Sequence, residues 1–409
     1  MSETAAPDPR VGRFPWPLAW LVAAIALLSK EPAILVVLGL VVVAGVVSEI
    51  TARLAHERLG VRVLLSASRV VAGEELECVV ELENAKPMPL TWCDVRIPLP
   101  EGVELADAGP GQARGRIAAS FGVGANERVR LRFRILAAQR GAYAIGAARI
   151  RTGDWLGFFS EERDAGTLAV LVAYPRPLYA VMRDLPAFRP LAERRTRRGL
   201  LTDPTRFAGV RDHRAGDARK DIHWKASARI GRLQTRVFEP STAGDVAFLV
   251  NVASHPSYWL QADPEAVEST ISAASTLLRQ AEDEGRRAAL LTNGIDAITR
   301  ERPRSLLGRG PARVRRALEI LARLSPYAAG TPERIFLREQ SRLPIGATLL
   351  CVTPSVTPAL ARALARLRRD RHRVLAISVT SLDDEVAAYC AAHRIELQAL
   401  DEGRRRVAV

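Results

Sequence analysis

The stretch from Arg206 to Glu239 holds most of the side chains in this chain that could do chemistry. It combines fixed charges with small residues and one tryptophan. Its candidate binding residues are Arg211, Gly216, Asp217, Lys220, Ile222, Trp224, Lys225, Ser227, Arg229, Arg236 and Glu239. Unpaired cations in such a stretch would face an acidic protein surface or anionic lipid headgroups. The residue types therefore predict a binding segment.

The same residues also allow a purely structural role, because arginine–carboxylate pairs are strong and directional. In that interpretation the charges form an internal network with the tryptophan packed beneath it. The carboxylates would be Asp217 and Glu239, the arginines Arg211, Arg229 or Arg236, and the tryptophan Trp224. The network would fasten the segment across a sheet. Both roles remain open from the sequence.

Catalysis is a third interpretation, because Asp217, His223 and Ser227 lie close together in the sequence. Catalytic triads are defined by geometry and not by proximity along the chain. The chain has neither a Gly-x-Ser-x-Gly elbow nor a His-Glu-x-x-His helix. We therefore predict no enzymatic activity and no cofactor. The alternative is a hydrolase that uses Asp217, His223 and Glu239.

The order of residues in this stretch resembles the signature of the domain of unknown function 58 family. That signature runs Arg, aromatic, Gly-Asp, a base, Ile, Trp, a base, Ser/Thr-Ala-Arg, a further base and a closing Glu. Two positions depart from it: His213 replaces the usual Tyr, and Lys220 replaces the usual Arg, which removes a bidentate donor. The resemblance implies an envelope-associated protein with a von Willebrand factor A-like domain. It also implies a MoxR-type AAA+ ATPase as partner.

The basic charge of the chain is concentrated around this signature. The 409 residues carry a formal net charge of +14, and the range 183–239 holds fifteen Lys or Arg against seven Asp or Glu. Charge of this kind also suggests a nucleic-acid-binding protein. The sequence shows no recognition helix, zinc finger or aromatic stacking platform, so we expect no nucleic acid. The length predicts two or three structural units.

Two apolar stretches near the N-terminus predict a transmembrane helical hairpin over residues 1–52. The helices would cover about 14–29 and 32–50, and a Lys-Glu-Pro break divides them. The alternative is a buried helical pair inside a soluble protein. Arg10 and Arg13 precede the first stretch, and three arginines follow the second, so both ends would face the cytoplasm. These features predict a multi-pass protein of the cell inner (cytoplasmic) membrane with the bulk of the chain cytoplasmic.

The cysteine pattern fits this location. The chain has four cysteines, too scattered for a disulfide scaffold or a zinc site: Cys78, Cys93, Cys351 and Cys390. In the reducing cytoplasm they would be free thiols. We predict that all four are buried as small hydrophobic residues.

Residues 60–175 alternate apolar and polar side chains with period two, and turn residues separate the runs. This pattern predicts an antiparallel β-sandwich. The run Asp154-Trp155-Leu156-Gly157-Phe158-Phe159 is similar to the end of this module in the family named above. We expect a packed turn there. Residues 176–204, rich in Pro and Arg, would form a connector.

Residues 205–409 would hold the signature and an α/β domain, von Willebrand factor A-like and Rossmann-type by the resemblance. Strands are predicted at 247–252, 288–292, 347–353, 374–379 and 395–400, and helices at 264–284, 311–324, 356–370 and 382–393. Strand and helix in alternation favour a mainly parallel sheet with helices on both faces. The predicted fold class is therefore multidomain: transmembrane hairpin, β-sandwich and α/β domain.

A von Willebrand factor A-like fold commonly binds a divalent cation through an Asp-x-Ser-x-Ser loop after its first strand. Here the matching positions are Asn251, Ala253 and His255, and Ser254 is out of register. The carboxylate and both hydroxyls are missing. We therefore predict no metal, and a loop that keeps its shape without an ion.

Overall fold

The protein is described by a computed structural model that covers most of the chain. The described residues are 17, 20–21, 23–25, 32–108, 113–178, 202–214, 217, 219–240, 245–255, 257, 259, 262–308, 310–343, 347–369 and 372–400. They form two compact units, Met1–Tyr174 and Pro175–Val409. Most of the predicted first span, 14–29, and most of the predicted connector, 176–204, lie outside the described residues.

The first unit begins with one long apolar helix, α1 (Pro32–Ala55). Among the described residues, it provides the one stretch long and apolar enough to cross a membrane, Val36–Ala55. Twenty-four residues of helix measure about 36 Å, against about 30 Å for the hydrocarbon layer of a bilayer. The prediction of a multi-pass protein is thus supported for one span only. The helix continues to Ala55, about one turn past the predicted end at Ile50.

The last turns of α1 differ from the rest of the helix in their surroundings. Val36, Leu40 and Val43 are more than half exposed, whereas Ser48 and Thr51 are buried. The buried face packs on strands of the same unit. The helix therefore has a free apolar part and a docked polar end.

The described elements that follow α1 in the first unit are β-strands, as the period-two pattern predicts. They are β1 (Leu59–Leu65), β2 (Arg69–Val71), β3 (Glu75–Asn84), β4 (Leu90–Pro98), β5 (Val103–Leu105), β6 (Arg116–Val123), β7 (Arg128–Ala137), β8 (Gly141–Ile145), β9 (Ala148–Gly153), β10 (Ser160–Ala165) and β11 (Ala169–Tyr174). They form sheets of order β1-β3-β7-β5, β10-β9-β4-β6 and β2-β11-β8. The alternate apolar side chains share one core. The prediction of an entirely antiparallel sandwich was wrong at one place, because β11 pairs with β2 in parallel.

The second unit contains the signature and an α/β region. Its strands are β12 (Thr202–Asp212), β13 (Gln234–Pro240), β14 (Val246–Val250), β15 (Ala288–Thr292), β16 (Gly294–Asp296), β17 (Arg304–Gly308), β18 (Leu324–Ala328), β19 (Thr348–Thr353), β20 (Arg373–Ser378) and β21 (Glu396–Ala399). Its helices are α2 (Trp224–Ile230), α3 (Pro264–Asp283), α4 (Pro311–Arg323), α5 (Pro332–Arg338), α6 (Pro358–Arg369) and α7 (Asp384–Ala392).

The main sheet of this unit has the order β17-β15-β14-β19-β20-β21. Its five strands from β15 to β21 pair in parallel, and β17 is an antiparallel edge. The central strands β14 and β15 are buried along their whole length, as expected for strands covered on both faces. This sheet brings the ends of β14, β15 and β19 side by side.

Candidate functional site

The signature folds as a hairpin of β12 and β13 that encloses the short helix α2. Arg211 lies opposite Thr235 in the hairpin, and Asp212 lies opposite Gln234. Before α2, Ile222 forms an isolated bridge with Thr235 and is only 5% exposed. The chain between the strands is therefore tied back to β13 before the helix starts.

An arginine–carboxylate pair closes the turn that follows β12. The two terminal nitrogens of Arg211 donate to the two carboxylate oxygens of Asp217, each at 2.7 Å. The Arg214 backbone N–H and the Thr235 hydroxyl donate to Asp217 Oδ2 at 2.9 and 3.2 Å. The bonds from Arg211, and then that from Arg214, hold the pKa of Asp217 well below its usual range. The predicted pairing of Asp217 with Arg211 is thus observed.

His213, which departs from the family pattern, completes this network. Its Nδ1 lies 2.9 Å from the hydroxyl oxygen of Thr235. Since that hydroxyl donates its proton to Asp217, His213 Nδ1 acts as the donor. A histidine therefore supports the ion pair from a second direction.

Helix α2 is fixed at both ends by hydrogen bonds. His223 Nδ1 accepts from the backbone N–H of Ala226 at 3.1 Å, and Gly231, with φ +75°, donates its N–H to Ser227 O at 2.9 Å. The Ser227 hydroxyl donates to His223 O at 3.0 Å and accepts from Gln234 N at 2.8 Å. The hydroxyl therefore joins the helix to β13.

These contacts give separate partners to Asp217, His223 and Ser227, the three residues that lie close together in the sequence. The carboxylate of Asp217 binds Arg211, Nδ1 of His223 caps α2, and the hydroxyl of Ser227 bridges backbone groups. A triad needs the acid on the histidine and the histidine on the nucleophile. The observed bonds serve the shape of the segment.

Trp224 lies on the outside of the segment. Trp224 is 67% exposed, whereas Ile222 and Ser227 are 5% and 8% exposed. The prediction that Trp224 packs beneath the charge network was therefore wrong. Ile222 and the Ser227 hydroxyl already close the inner face, so the first residue of α2 points to solvent.

Most cations of the signature are also exposed. Within the described residues, no ion pair is formed by Arg214, Arg219, Lys220, Lys225, Arg229 or Arg236. The predicted pairing of Arg229 and Arg236 with described carboxylates is not seen. Gly216 and the side chain of Glu239 lie outside the described residues. We refer to Lys220, Trp224, Lys225 and Arg229 together as the signature surface.

The loop that could have held a metal is organised by amides. Asn251 Nδ2 donates to Thr353 Oγ1 at 2.8 Å and to Ala253 O at 3.2 Å. Asn251 Oδ1 accepts from Ala253 N at 2.8 Å and from Asn293 Nδ2 at 2.7 Å. Asn251, Asn293 and Thr353 come from the ends of three neighbouring parallel strands. His255 is a loop residue whose Nδ1 accepts from Ser257 N.

Replacing Asn251 by Asp is expected to destabilise the second unit by about 2 kcal/mol. A carboxylate cannot donate to Thr353 and Ala253, and it would place a charge at a site that is 2% exposed. Denaturant unfolding of the full-length protein in detergent measures the free energy of unfolding of the second unit. The extent of unfolding is read from the labelling of Cys351, which lies in the adjacent strand β19. Asn126→Asp, at an exposed turn, is the control. Equal stability of both variants would show that the amide donors are dispensable.

The chain is similar to one curated protein and to domains of several solved structures. The uncharacterized protein YeaD of Bacillus subtilis (strain 168) is 26% identical over 241 residues, which are 56% of this chain and 54% of that protein. The chain thus spans about half the length of that relative. Among solved structures, the CARDB domain of a Pyrococcus furiosus protein covers 28% of this chain and 86% of its own, with 18% identity and a TM-score of 0.20. A non-cellulosomal cohesin from Archaeoglobus fulgidus covers 28% and 90%, with 12% identity and a TM-score of 0.21.

The signature and the α/β sheet fall inside one family match. The model of the family described as protein of unknown function DUF58 matches residues 209–400. This range begins within β12 and ends just after β21. Over these residues, the chain is similar to the family whose signature the sequence resembles.

Proposed function

We propose that this chain is a membrane-anchored adaptor whose signature surface binds an acidic protein partner. The observation that carries the proposal is the exposed Trp224, 67% accessible, on a helix whose neighbouring cations are not ion-paired with described residues. Trp and Arg are the residues most enriched among those that dominate binding at protein interfaces. We infer a binding role in preference to an enzymatic one.

The rigidity of the segment supports this role. The Arg211–Asp217 pair, the Ser227 bridge to β13 and the caps of α2 hold the backbone, and they use no side chain of the signature surface. A surface that is already ordered loses less conformational entropy when it binds. The two halves of the signature thus have separate tasks: one fixes the hairpin and the other meets the partner.

The charge of the surface indicates the class of partner. Lys220, Lys225 and Arg229 lie within ten positions of each other and are all exposed. Complementary charge speeds association and selects partners of the opposite sign. An acidic protein surface with an apolar pocket for the indole would match both features. The nucleic-acid alternative gains no such specific support, because a single indole provides no stacking platform for successive bases.

By resemblance, the partner would be a MoxR-type AAA+ ATPase, and the process would be assembly or maturation of envelope proteins. We also propose that the α/β region is a von Willebrand factor A-like domain. Its central parallel strands and the helices between them fit the alternation of strand and helix expected for that fold. In this proposal α1 and the preceding apolar stretch form two spans of the inner membrane. The arginines on their outer flanks support a cytoplasmic location for the body of the chain in this proposal.

Affinity purification of the full-length protein from detergent extract tests the proposal. Trp224→Ala and the double variant Lys225→Glu with Arg229→Glu should each weaken binding of an acidic ATPase partner about tenfold or more. Matched controls are Tyr327→Ala, an aromatic residue that is 62% exposed, and Arg362→Glu with Arg366→Glu, which has the same spacing on α6. The controls should retain the partner.

Two results would count against the docking role. If the signature variants and their controls bind equally, the exposed cations and the indole have no part in binding. If the signature variants lose the partner only together with their folded structure, while the controls keep both, these side chains support the fold and do not form a docking surface. Circular dichroism of each variant separates these cases.

A further inference from the structure

The loop between β9 and β10 exposes three large apolar side chains next to each other. Trp155, Leu156 and Phe158 are 42%, 52% and 44% exposed. The sequence predicted a packed turn, but only its first residue, Asp154, is fully buried. Contiguous exposed apolar side chains of this kind mark a contact with a protein or a membrane.

The exposure is built into the loop. The Asp154 carboxylate accepts from the backbone N–H of Phe159 at 2.6 Å and of Leu156 at 3.1 Å. Gly157 adopts φ +80°, which turns the chain between the exposed side chains. The Trp155 indole donates to Pro89 O at 3.0 Å. These bonds hold the loop in one shape with its apolar side chains outward.

The same loop is fastened to the end of the apolar helix. The Ser48 hydroxyl donates to Asp154, and the Trp155 backbone N–H donates to Thr51 Oγ1 at 3.4 Å. Both partners lie on the docked face of α1. On its exposed face at the same level, Ile50 is 52% accessible. Loop and helix therefore present apolar side chains at one level.

The length of α1 places that level at the surface of a bilayer. The helix rises about 30 Å from Pro32 to Thr51, the thickness of the hydrocarbon layer. At this level Arg53 forms an ion pair with Glu49, one turn earlier on α1, and the chain then enters the sandwich. Aromatic residues are enriched at the boundary between hydrocarbon and headgroups. The loop thus meets the helix where the helix would leave the membrane.

We propose that residues 155–158 are a second membrane contact, with Trp155, Leu156 and Phe158 inserted among the lipid headgroups beside α1. The proposal rests on the membrane anchoring proposed above. A transmembrane anchor alone leaves the first unit free to tilt relative to the membrane. A second contact, fixed to the helix through Asp154, gives that unit one orientation on the membrane.

Environment-sensitive fluorescence in proteoliposomes tests this contact. The full-length protein carries Leu156→Cys with a nitrobenzoxadiazole label, in vesicles of phosphatidylethanolamine and phosphatidylglycerol. The native cysteines are buried, and burial raises the pKa of Cys78 to about 11 and of Cys93 and Cys351 to about 12. They therefore stay unlabelled under native conditions. Shallow spin labels, near the headgroup end of the lipid acyl chains, and deep ones, near the bilayer centre, quench the fluorescence of a nearby probe. Comparison of the two reports the depth of the probe.

Two further positions serve as references. Leu168→Cys is 63% exposed and lies beyond the far end of β10, about 20 Å along that strand. Val43→Cys is 60% exposed in the middle of α1. We expect the probe at position 156 to emit at shorter wavelength than the probe at 168 and to be quenched most by the shallow spin labels. The probe at 43 should be quenched most by the deep ones.

The outcomes separate the loop contact from the anchor. If the probe at 43 is in lipid and the probe at 156 is as accessible to aqueous iodide as that at 168, the anchor holds and the loop proposal fails. If the probe at 156 is in an apolar site that no spin-labelled lipid quenches, protein covers the loop and the proposal also fails. If the probe at 43 is not in lipid, the anchoring itself is wrong.

Discussion

Replacement of Asp154 by Ala is expected to destabilise the first unit by about 4 kcal/mol. The carboxylate is fully buried and accepts from Ser48, Leu156 and Phe159. Its loss leaves these donors without their acceptor in a closed site, which costs about 1 to 3 kcal/mol for each buried group. It also removes the bond from Ser48, one of the two hydrogen bonds described between α1 and the loop. The carboxylate is therefore the buried link of the junction between helix and loop.

The rate of thiol labelling measures this loss inside the first unit. Cys78 and Cys93 lie in the core of the sandwich and react only when it opens. A loss of about 4 kcal/mol should raise their labelling rate roughly a thousandfold, while Cys351 and Cys390 in the second unit keep theirs. Asp164→Ala, on β10 with an 87% exposed side chain, is the control. Unchanged labelling of Cys78 in Asp154→Ala would contradict the proposed junction.

The contribution of Asp154 should also depend on pH. Burial alone would raise its pKa, but hydrogen bonds from Ser48 and from backbone N–H groups outweigh burial and leave the pKa below its usual value. A carboxyl with a depressed folded-state pKa stabilises the fold above the unfolded pKa of about 3.9 and loses this contribution as pH falls. The difference between parent and variant should therefore shrink below about pH 4 and stay constant near neutrality.

Replacement of Lys86 by Met is expected to destabilise the same unit by about 3 kcal/mol. The Lys86 ammonium donates to the carbonyl oxygens of Leu54, Ala55 and Glu57, at the end of α1, and the residue is 5% exposed. Helix ends leave their last carbonyls without partners. A cation at the C-terminal end also interacts favourably with the negative end of the helix dipole. Met fills the volume without donating. Burial lowers the pKa of Lys86, which marks how closely the ammonium is enclosed.

The same labelling of Cys78 and Cys93 measures this effect. The matched control is Arg62→Met, which removes an exposed cation from β1 of the same sandwich. It should leave the labelling rates unchanged. If Lys86→Met and Arg62→Met behave alike, water satisfies the end of α1 and Lys86 is only a packed side chain.

Local patterns allowed much of the fold to be predicted from the sequence. Strand β15 was predicted with its observed bounds, and the helix predicted at 264–284 is observed as α3, Pro264–Asp283. Short elements such as β16, β18 and α5 were missed. A segment of three to seven residues is too short for its hydrophobic periodicity to distinguish a helix from a strand.

Long-range contacts explain what the sequence could not reveal about the junction and the signature. Lys86 and Asp154 act on a helix that lies far from them along the chain, so no local pattern predicts their roles. In the signature the pairing of Arg211 with Asp217 was predictable from charge. The outward position of Trp224 was not, because it depends on Ile222 filling the inner face first.

Site-specific photo-crosslinking in intact cells tests the central claim most directly. A photo-reactive amino acid replaces Lys225 on the signature surface of the full-length protein, and Arg362 on α6 in the control. We expect that position 225 captures one acidic partner, that Trp224→Ala abolishes the product, and that position 362 captures none. A partner that copurifies with the protein but crosslinks from 362 and not from 225 would contradict it.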